Sequence, residues 1–378
     1  MSDVDSERDR QVMLFLEEIP DPRYDRCKLH RLAHVIYMAL FGWLYGAKTW
    51  VDVWNLCDVH RDFLIEKIHL KNGIPSVSTF RRCLAHVSNE SMQRLLARQA
   101  DAMNPDLNGK IIAIDGKALR GSASSEAEQK AFHTLNAFIT DNHTVLRQLF
   151  GDCKQAELTM IPELLDTLDV KGATLTMDAL ACQSSITETI ISRKADYVIG
   201  LKRNQPTAYN DAATLFARTD ICPDSWQEVD KGHGRIECRS YQTLDIQKYA
   251  LPSLKKFAGV KSITRVNSVV EKQGQQSQEY RYYLSSHKAD AKKIGGIIRA
   301  HWSIENSLHY VLDVVYGEDD STIRKKTLAA NTSLIRKICL NIIRAQKADK
   351  EKNKRVMLKA LTNPQYAHSL IAQFGLHA

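Results

Sequence analysis

Two short apolar runs that each end in an aspartate limit what this chain can fold into. KIIAIDGK, from Lys110, and GATLTMDAL, from Gly172, are too short and too rich in β-branched residues to be helices, so both read as strands. Open sheets place functional groups just beyond the carboxyl ends of their strands. If these two runs are neighbours, Asp115 and Asp178 meet at one sheet edge although 63 residues separate them.

The surrounding segments supply the rest of such a sheet. HTLNAFI and TVLRQLF read as further strands, followed by a helix after Pro162, the helix SSITETIISRKA, the strand DYVIGLK and a helix from about Gln205 to Thr219. Three neighbouring strands and then alternating helix and strand describe a mixed sheet with flanking helices. From Ser225 to Ser285 the chain turns to short strands, a β-rich insertion, and the helical pattern resumes at Asp290. Residues 1–107 are helical throughout, with apolar spacing in Val12–Ile19, Leu29–Tyr45, Trp50–Ile68 and Met92–Met103. Within them, Ser78 or Thr79 caps a helix that carries Arg81 and Arg82 in its first turn. That helix pair reads as bundle packing, with a DNA-reading helix-turn-helix as the alternative. The expected organisation is an all-helical N-terminal domain (1–107), an α/β domain (108–346) with the insertion at about 225–285, and a basic C-terminal tail (347–378).

A third carboxylate lies in HWSIENSLHYVLDVVYGEDDSTIR, which reads as a helix. With Ile304, Leu308, Val311, Leu312 and Val315 as its buried stripe, Glu305 falls on the border between core and solvent, with His301 and His309 one turn away on either side. An edge glutamate can simply pair with a histidine at i±4. Three carboxylates brought together from distant segments repel one another and call for a cation. Mg²⁺ fits best, because it takes oxygen ligands and binds phosphate together with one or two carboxylates. Glu318, Asp319 and Asp320 are the alternative acids, at a helix boundary where Asp320 or Ser321 can serve as a cap.

Charge points to the partner. Between Ile323 and Val356 eleven basic residues face two acidic ones, an excess that covers the whole net charge of +8. Clustered basic charge suits a polyphosphate such as nucleic acid, and a solvated helix face is the plainer alternative. The longest apolar run, Leu32–Ala47, is broken by His34 and is shorter than a membrane span needs. The charged start MSDVDSERDRQ is unlike a signal peptide, so a cytoplasmic protein is expected. The eight cysteines show no metal-ligand spacing and no disulfide framework.

IIAIDGKALRGS, TLTMDALACQ, YVIGLKRNQ, DKGHGRIECR and the Glu305 segment, in this order, resemble the bacterial insertion-sequence transposases that include the H-repeat-associated proteins of Rhs elements. The likeness runs from about Asp9 to Arg344. It implies an RNase H-like core in which Asp115, Asp178 and Glu305 are the catalytic, metal-binding DDE residues. It further implies two Mg²⁺ ions, with Mn²⁺ as a substitute, and double-stranded DNA as partner, both the inverted-repeat ends and the target. The reaction would be strand cleavage and transfer, by a homodimer that pairs two ends. Lys154, Gln155, Ala156, Glu157 and Leu158 stand where relatives have Lys-Ser-Asn-Glu-Ile, so a polar serine and asparagine are missing. Expected DNA contacts are Lys202, Asn204 and Gln205 after a strand end, Lys231, His233 and Arg235 in a glycine-containing turn, and Lys325, Lys326, Arg336 and Lys337. A domesticated, non-catalytic DNA-binding protein and a structure-specific nuclease are the alternatives.

Overall fold

The computed structural model describes residues 3–124, 128–232, 234–249, 251–346 and 352–376. Six helices come first: α1 (Asp3–Glu17), α2 (Leu32–Leu44), α3 (Trp50–Val59), α4 (Arg61–Ile68), α5 (Val77–His86) and α6 (Asn89–Met103). Every residue of α2 is buried, which explains why its sequence shows no polar face. Capping sets the helix starts. Thr49 and Asp52 form a reciprocal capping box on α3, and Ser76, rather than Ser78 or Thr79, caps α5 by accepting from the Thr79 N–H. α5 packs against α2, α3 and the later helix 326–346, the bundle role expected of it.

Nine strands form one sheet: β1 (Ile111–Leu119), β2 (Phe132–Ile139), β3 (Val145–Gly151), β4 (Thr174–Met177), β5 (Asp196–Leu201), β6 (Asp224–Gly232), β7 (Arg235–Asp245), β8 (Ser262–Lys272) and β9 (Gln275–Ser285), in the order 3-2-1-4-5-9-8-7-6. β1, β4 and β5 run parallel, and every other pairing is antiparallel. The β-rich insertion is therefore no separate module. β9 pairs with β5, and the four insertion strands continue the same sheet.

Both faces are covered. α7 (Glu157–Asp166), α8 (Ser184–Ser192), α9 (Pro206–Ala217) and the short α10 (Pro252–Lys255) bury one face around Ile112, Ile114, Leu175 and Ile199. α7 begins five residues before the Pro162 start expected from sequence, and the proline sits inside it. The other face takes α11 (Ala291–Ser303), a π-helical turn (Ile304–His309) and α12 (Tyr310–Val314), with α13 (Lys326–Gln346) beside them. A single core joins Ala113, Phe138 and Val145 of the sheet to Leu308, α13 and the N-terminal helices.

The basic tail is corrected. α14 (Asn353–Thr362) and α15 (Pro364–Leu376) are helices that bury Val356, Met357, Ala360, Leu370 and Ile371, and α15 packs on α1 and α2. Apolar residues at helical spacing within that segment outweigh its charge. Among the described residues no helix is long and apolar enough to cross a membrane.

Candidate active site

β1 and β4 pair with each other only as far as Ile114 and Met177, so Asp115 and Asp178 are each the next residue along. β4 stops there, but β1 continues to Leu119 against β2, so Asp115 lies within its strand rather than at the end expected from sequence. Beyond Met177 the chain turns away, and Asp178 fixes that turn by accepting the Leu180 N–H at 2.9 Å. Glu305 arrives from the opposing helices. It sits in the π-helical turn between α11 and α12, a wide turn of the kind often found at functional sites. The segment is thus not one regular helix, because the turn interrupts it around Glu305 and the helix ends at Val314. The extra residue per turn lets Ile304 and Leu308 stay buried while the Glu305 side chain remains about half exposed.

All three carboxylates line one cleft of about 530 Å³. A larger hollow, about 740 Å³, lies between α1 and the 66–72 turn and holds none of them, so chemistry rather than size identifies the site. His309 completes the inner group. Its Nδ1 lies 3.3 Å from Glu305 Oε2 and 3.6 Å from Asp115 Oδ2. Ligand atoms of Asp115, Glu305 and His309 fall within 4.8 Å of one another, spacing that a cation could bridge; this group does not include Asp178. Burial pushes the Asp115 carboxyl well above its usual range, and the charges of Glu305 and Asp178 push it further. The hydrogen bond from His309 holds Glu305 lower, against its own partial burial. Mutual repulsion of this kind is what a divalent cation relieves, and hard oxygen donors are the ligands that such ions take. His301 ties α11 to the sheet, its Nδ1 lying 2.9 Å from Thr176 Oγ1.

The cleft mouth is cationic and aromatic. Lys202, Arg203 and Arg281 line it, and the Arg281 guanidinium lies over Trp302, which is 39% exposed rather than part of the core. Sequence reasoning missed Arg203 and Arg281 because nothing in a lone arginine marks it as facing a cleft. His309 carried a signal, its i+4 spacing from Glu305.

The structure sorts the other expected contacts. Lys202 is exposed at the cleft. Asn204 and Gln205 spend their amides internally: Asn204 donates to the Ala179 carbonyl at 2.7 Å, and Gln205 donates to the Cys182 carbonyl at 2.9 Å. They pin the β5–α9 turn to the loop after Asp178. Lys231 and Arg235 stand exposed at the β6–β7 hairpin tip, while His233 lies outside the described residues. Lys325 and Lys326 are exposed, Lys326 paired with Asp152 at 2.7 Å.

Arg336 and Lys337 are not surface groups. Both are buried, facing the fully buried Glu318 at 3.9 and 3.7 Å, and Arg336 also stacks over Trp43. The assignment to DNA therefore fails for these two, because phosphate cannot reach them. Glu318 and Asp319 are likewise spent on Lys117, Arg336 and Lys337, which removes these two as substitute metal ligands, and Asp320 is exposed and does not line the cleft that holds Asp115 and Asp178. Arg336→Lys should accordingly leave the salt dependence of DNA binding unchanged while lowering the urea midpoint of unfolding, since lysine cannot reproduce the guanidinium stack.

Residues 107–342 match the model of the transposase DDE domain, and residues 13–99 match the region associated with that domain. The chain belongs to the DDE transposase family. Its relatives include a putative protein YbfL of Escherichia coli K12, 33% identical over 97% of this chain and 99% of that protein. The H repeat-associated putative transposase YhhI of the same strain is 32% identical over the same shares. An uncharacterised protein of Xanthobacter autotrophicus is 34% identical over 73% of this chain and 94% of its own length. The mixed sheet with helices on both faces is the RNase H-like fold of a DDE transposase, extended here by β6–β9. DDE domains work with divalent metal ions, and the donors gathered around Asp115 suit that chemistry.

Proposed function

We propose that this chain binds the ends of its own insertion sequence and catalyses metal-dependent cleavage of the DNA strand followed by transfer of the end to a target duplex. What supports the reading most is one observation: two aspartates directly follow the last pair between adjacent parallel strands, and a glutamate from a π-helical turn lines the same cleft. Bound divalent ions, Mg²⁺ or Mn²⁺, supply charge neutralisation and activation of the attacking oxygen in such a site. The residues themselves do the positioning. Asp115 and Asp178 are fixed by strand register and by the turn after β4. Glu305 is held against Asp115 through His309, and His301 locks the helix that carries it to β4. Lys202, Arg203 and Arg281 line the mouth, where a phosphate backbone would be drawn along the cleft. Pairing of two ends requires two active sites, and a homodimer on DNA supplies them.

The test is a labelled terminal fragment of the element incubated with protein and Mg²⁺, Mn²⁺ or EDTA. Nicks at the element boundary that leave 3′-hydroxyls, then joined products, are expected only with metal. Sequence-specific binding by folded protein without nicking in either metal would identify a domesticated binder. Cleavage that follows DNA shape and never joins would identify a nuclease.

Surface charge gives a second test. Replacing Lys202, Lys231, Arg235 and Lys325 together by alanine should weaken binding to every sequence and flatten the salt dependence by about one unit of slope for each phosphate that is no longer neutralised. A slope unchanged in filter-binding titrations would make these four ordinary solvated side chains.

A further inference from the structure

One acidic side chain outside the triad stands against β1 next to Asp115. Along β1, Ala113 and Asp115 point to the face that carries Glu305, while Ile112, Ile114 and Gly116 point to the face covered by α7. Glu157, the first residue of α7, fills the place that a side chain at 116 would take: a Cβ on Gly116 would lie 2.2 Å from Glu157 Oε1. β4 pairs with β1 only as far as Ile114, so at Gly116 that flank of β1 carries no β4 partner. A carboxylate there sits beside the strand ends and is close enough to feel the Asp178 charge.

The carboxylate is costly where it stands. Glu157 is 8% exposed and accepts no hydrogen bond among the described residues; His133 Nδ1 lies 3.4 Å away and is itself buried without a hydrogen-bond partner. Burial and the nearby Lys154 hold that imidazole towards its neutral form, so it offers no counter-charge. Burial raises the Glu157 carboxyl, the exposed Lys154 offsets only part of that and Asp178 adds to it, so the ionised side chain is retained at a loss of stability unless something absent from the bare chain pairs with it. A favourable placement at the N-terminus of α7 is the plainer account, but that benefit does not require burial against a glycine.

We propose that Glu157 is a fourth carboxylate of the strand-end site, reaching its divalent cations from the face of the sheet opposite Glu305. The inference rests on the metal-dependent reading above and adds one ligand to it. It also assigns Gly116 a role: only a residue without a side chain leaves room for that carboxylate.

The test reads metal binding directly, by thermal unfolding of the full chain across a Mn²⁺ titration. Glu157→Gln should unfold at the same temperature as wild type or higher without metal, because it loses a buried charge that Lys154 only partly offsets. Its Mn²⁺-dependent rise should be weakened by about 10- to 100-fold in apparent affinity. Gly116→Ala, which leaves Glu157 intact but displaces it, should weaken Mn²⁺ binding likewise. Asp115→Asn is the reference that loses the response. Wild-type Mn²⁺ affinity in Glu157→Gln alongside a lost response in Asp115→Asn would overturn the proposal and leave the metal-dependent reading standing. An unchanged response in Asp115→Asn as well would overturn both.

Discussion

Asp115→Asn, Asp178→Asn and Glu305→Gln are each expected to reduce nicking of a labelled element end by on the order of 10³-fold or more, the several kcal/mol that charge stabilisation by bound metal contributes to such a step. Each change keeps the shape of the side chain and removes its charge. The urea midpoint should stay near wild type, and for Asp115→Asn it should rise, because that carboxyl is buried against two like charges. Loss of activity with retained or increased stability separates a ligand from a packing residue. A variant nicking at near the wild-type rate would remove its residue from the site. His309→Gln belongs in the same series. An amide can still donate towards Glu305, so a small loss would point to an orienting role for His309, whereas a loss as deep as that of Asp115→Asn would mean that the imidazole itself holds the cation.

What could be read from sequence depended on how local the signal was. The two aspartates were legible because an apolar run closed by an acid is a message within one segment, although only Asp178 follows a strand end and β1 runs on past Asp115 to Leu119. The adjacency of β1 and β4 was a condition of that reading rather than a result of it, and the register of Ile114 with Met177 meets the condition. Glu305 was placed on the border of the core, as the structure has it, but the π-helical turn was not foreseen, since helical periodicity does not register one extra residue. The errors came from charge. Arg336 and Lys337 sit in a run dense with basic residues, and sequence alone reads such a run as a surface. Their counter-charge, Glu318, lies 18 and 19 residues earlier across a loop, and only tertiary packing brings it beneath them. The C-terminal segment was misread for the same reason, its lysines masking the apolar spacing of Val356, Met357 and Ala360.

That misread cluster leads to the largest expected effect on stability. Lys117, two residues past Asp115, contacts Asp313 and Asp319 at 2.7 Å and Glu318 at 3.8 Å. Glu318 also accepts from Ser333 at 2.9 Å and faces Arg336 and Lys337. Three buried cations meet three anions, with the exposed Arg120 also reaching Asp319, and Glu318 is the member that touches all three buried cations. Glu318→Ala should therefore destabilise the protein by about 3–5 kcal/mol, because it strands Arg336 and Lys337 as buried charges without their partner. Urea unfolding followed by circular dichroism would show a lower midpoint with an unchanged slope. Pairing Glu318→Ala with Lys337→Met should recover part of the loss, since the second change removes a charge that the first left unpaired, and a non-additive difference above about 1 kcal/mol would establish the coupling. The pH dependence supplies the sign. Burial raises the Glu318 carboxyl, but Lys337, Arg336 and Lys117 together bring it below its ordinary 4.5. Its contribution is then complete above 4.5 and is lost as pH falls through the lower folded-state value. Glu318→Gln should lack that component, so the gap between the two proteins should narrow on acidification below 4.5. A gap that stayed constant with pH would mean that Glu318 acts by packing alone.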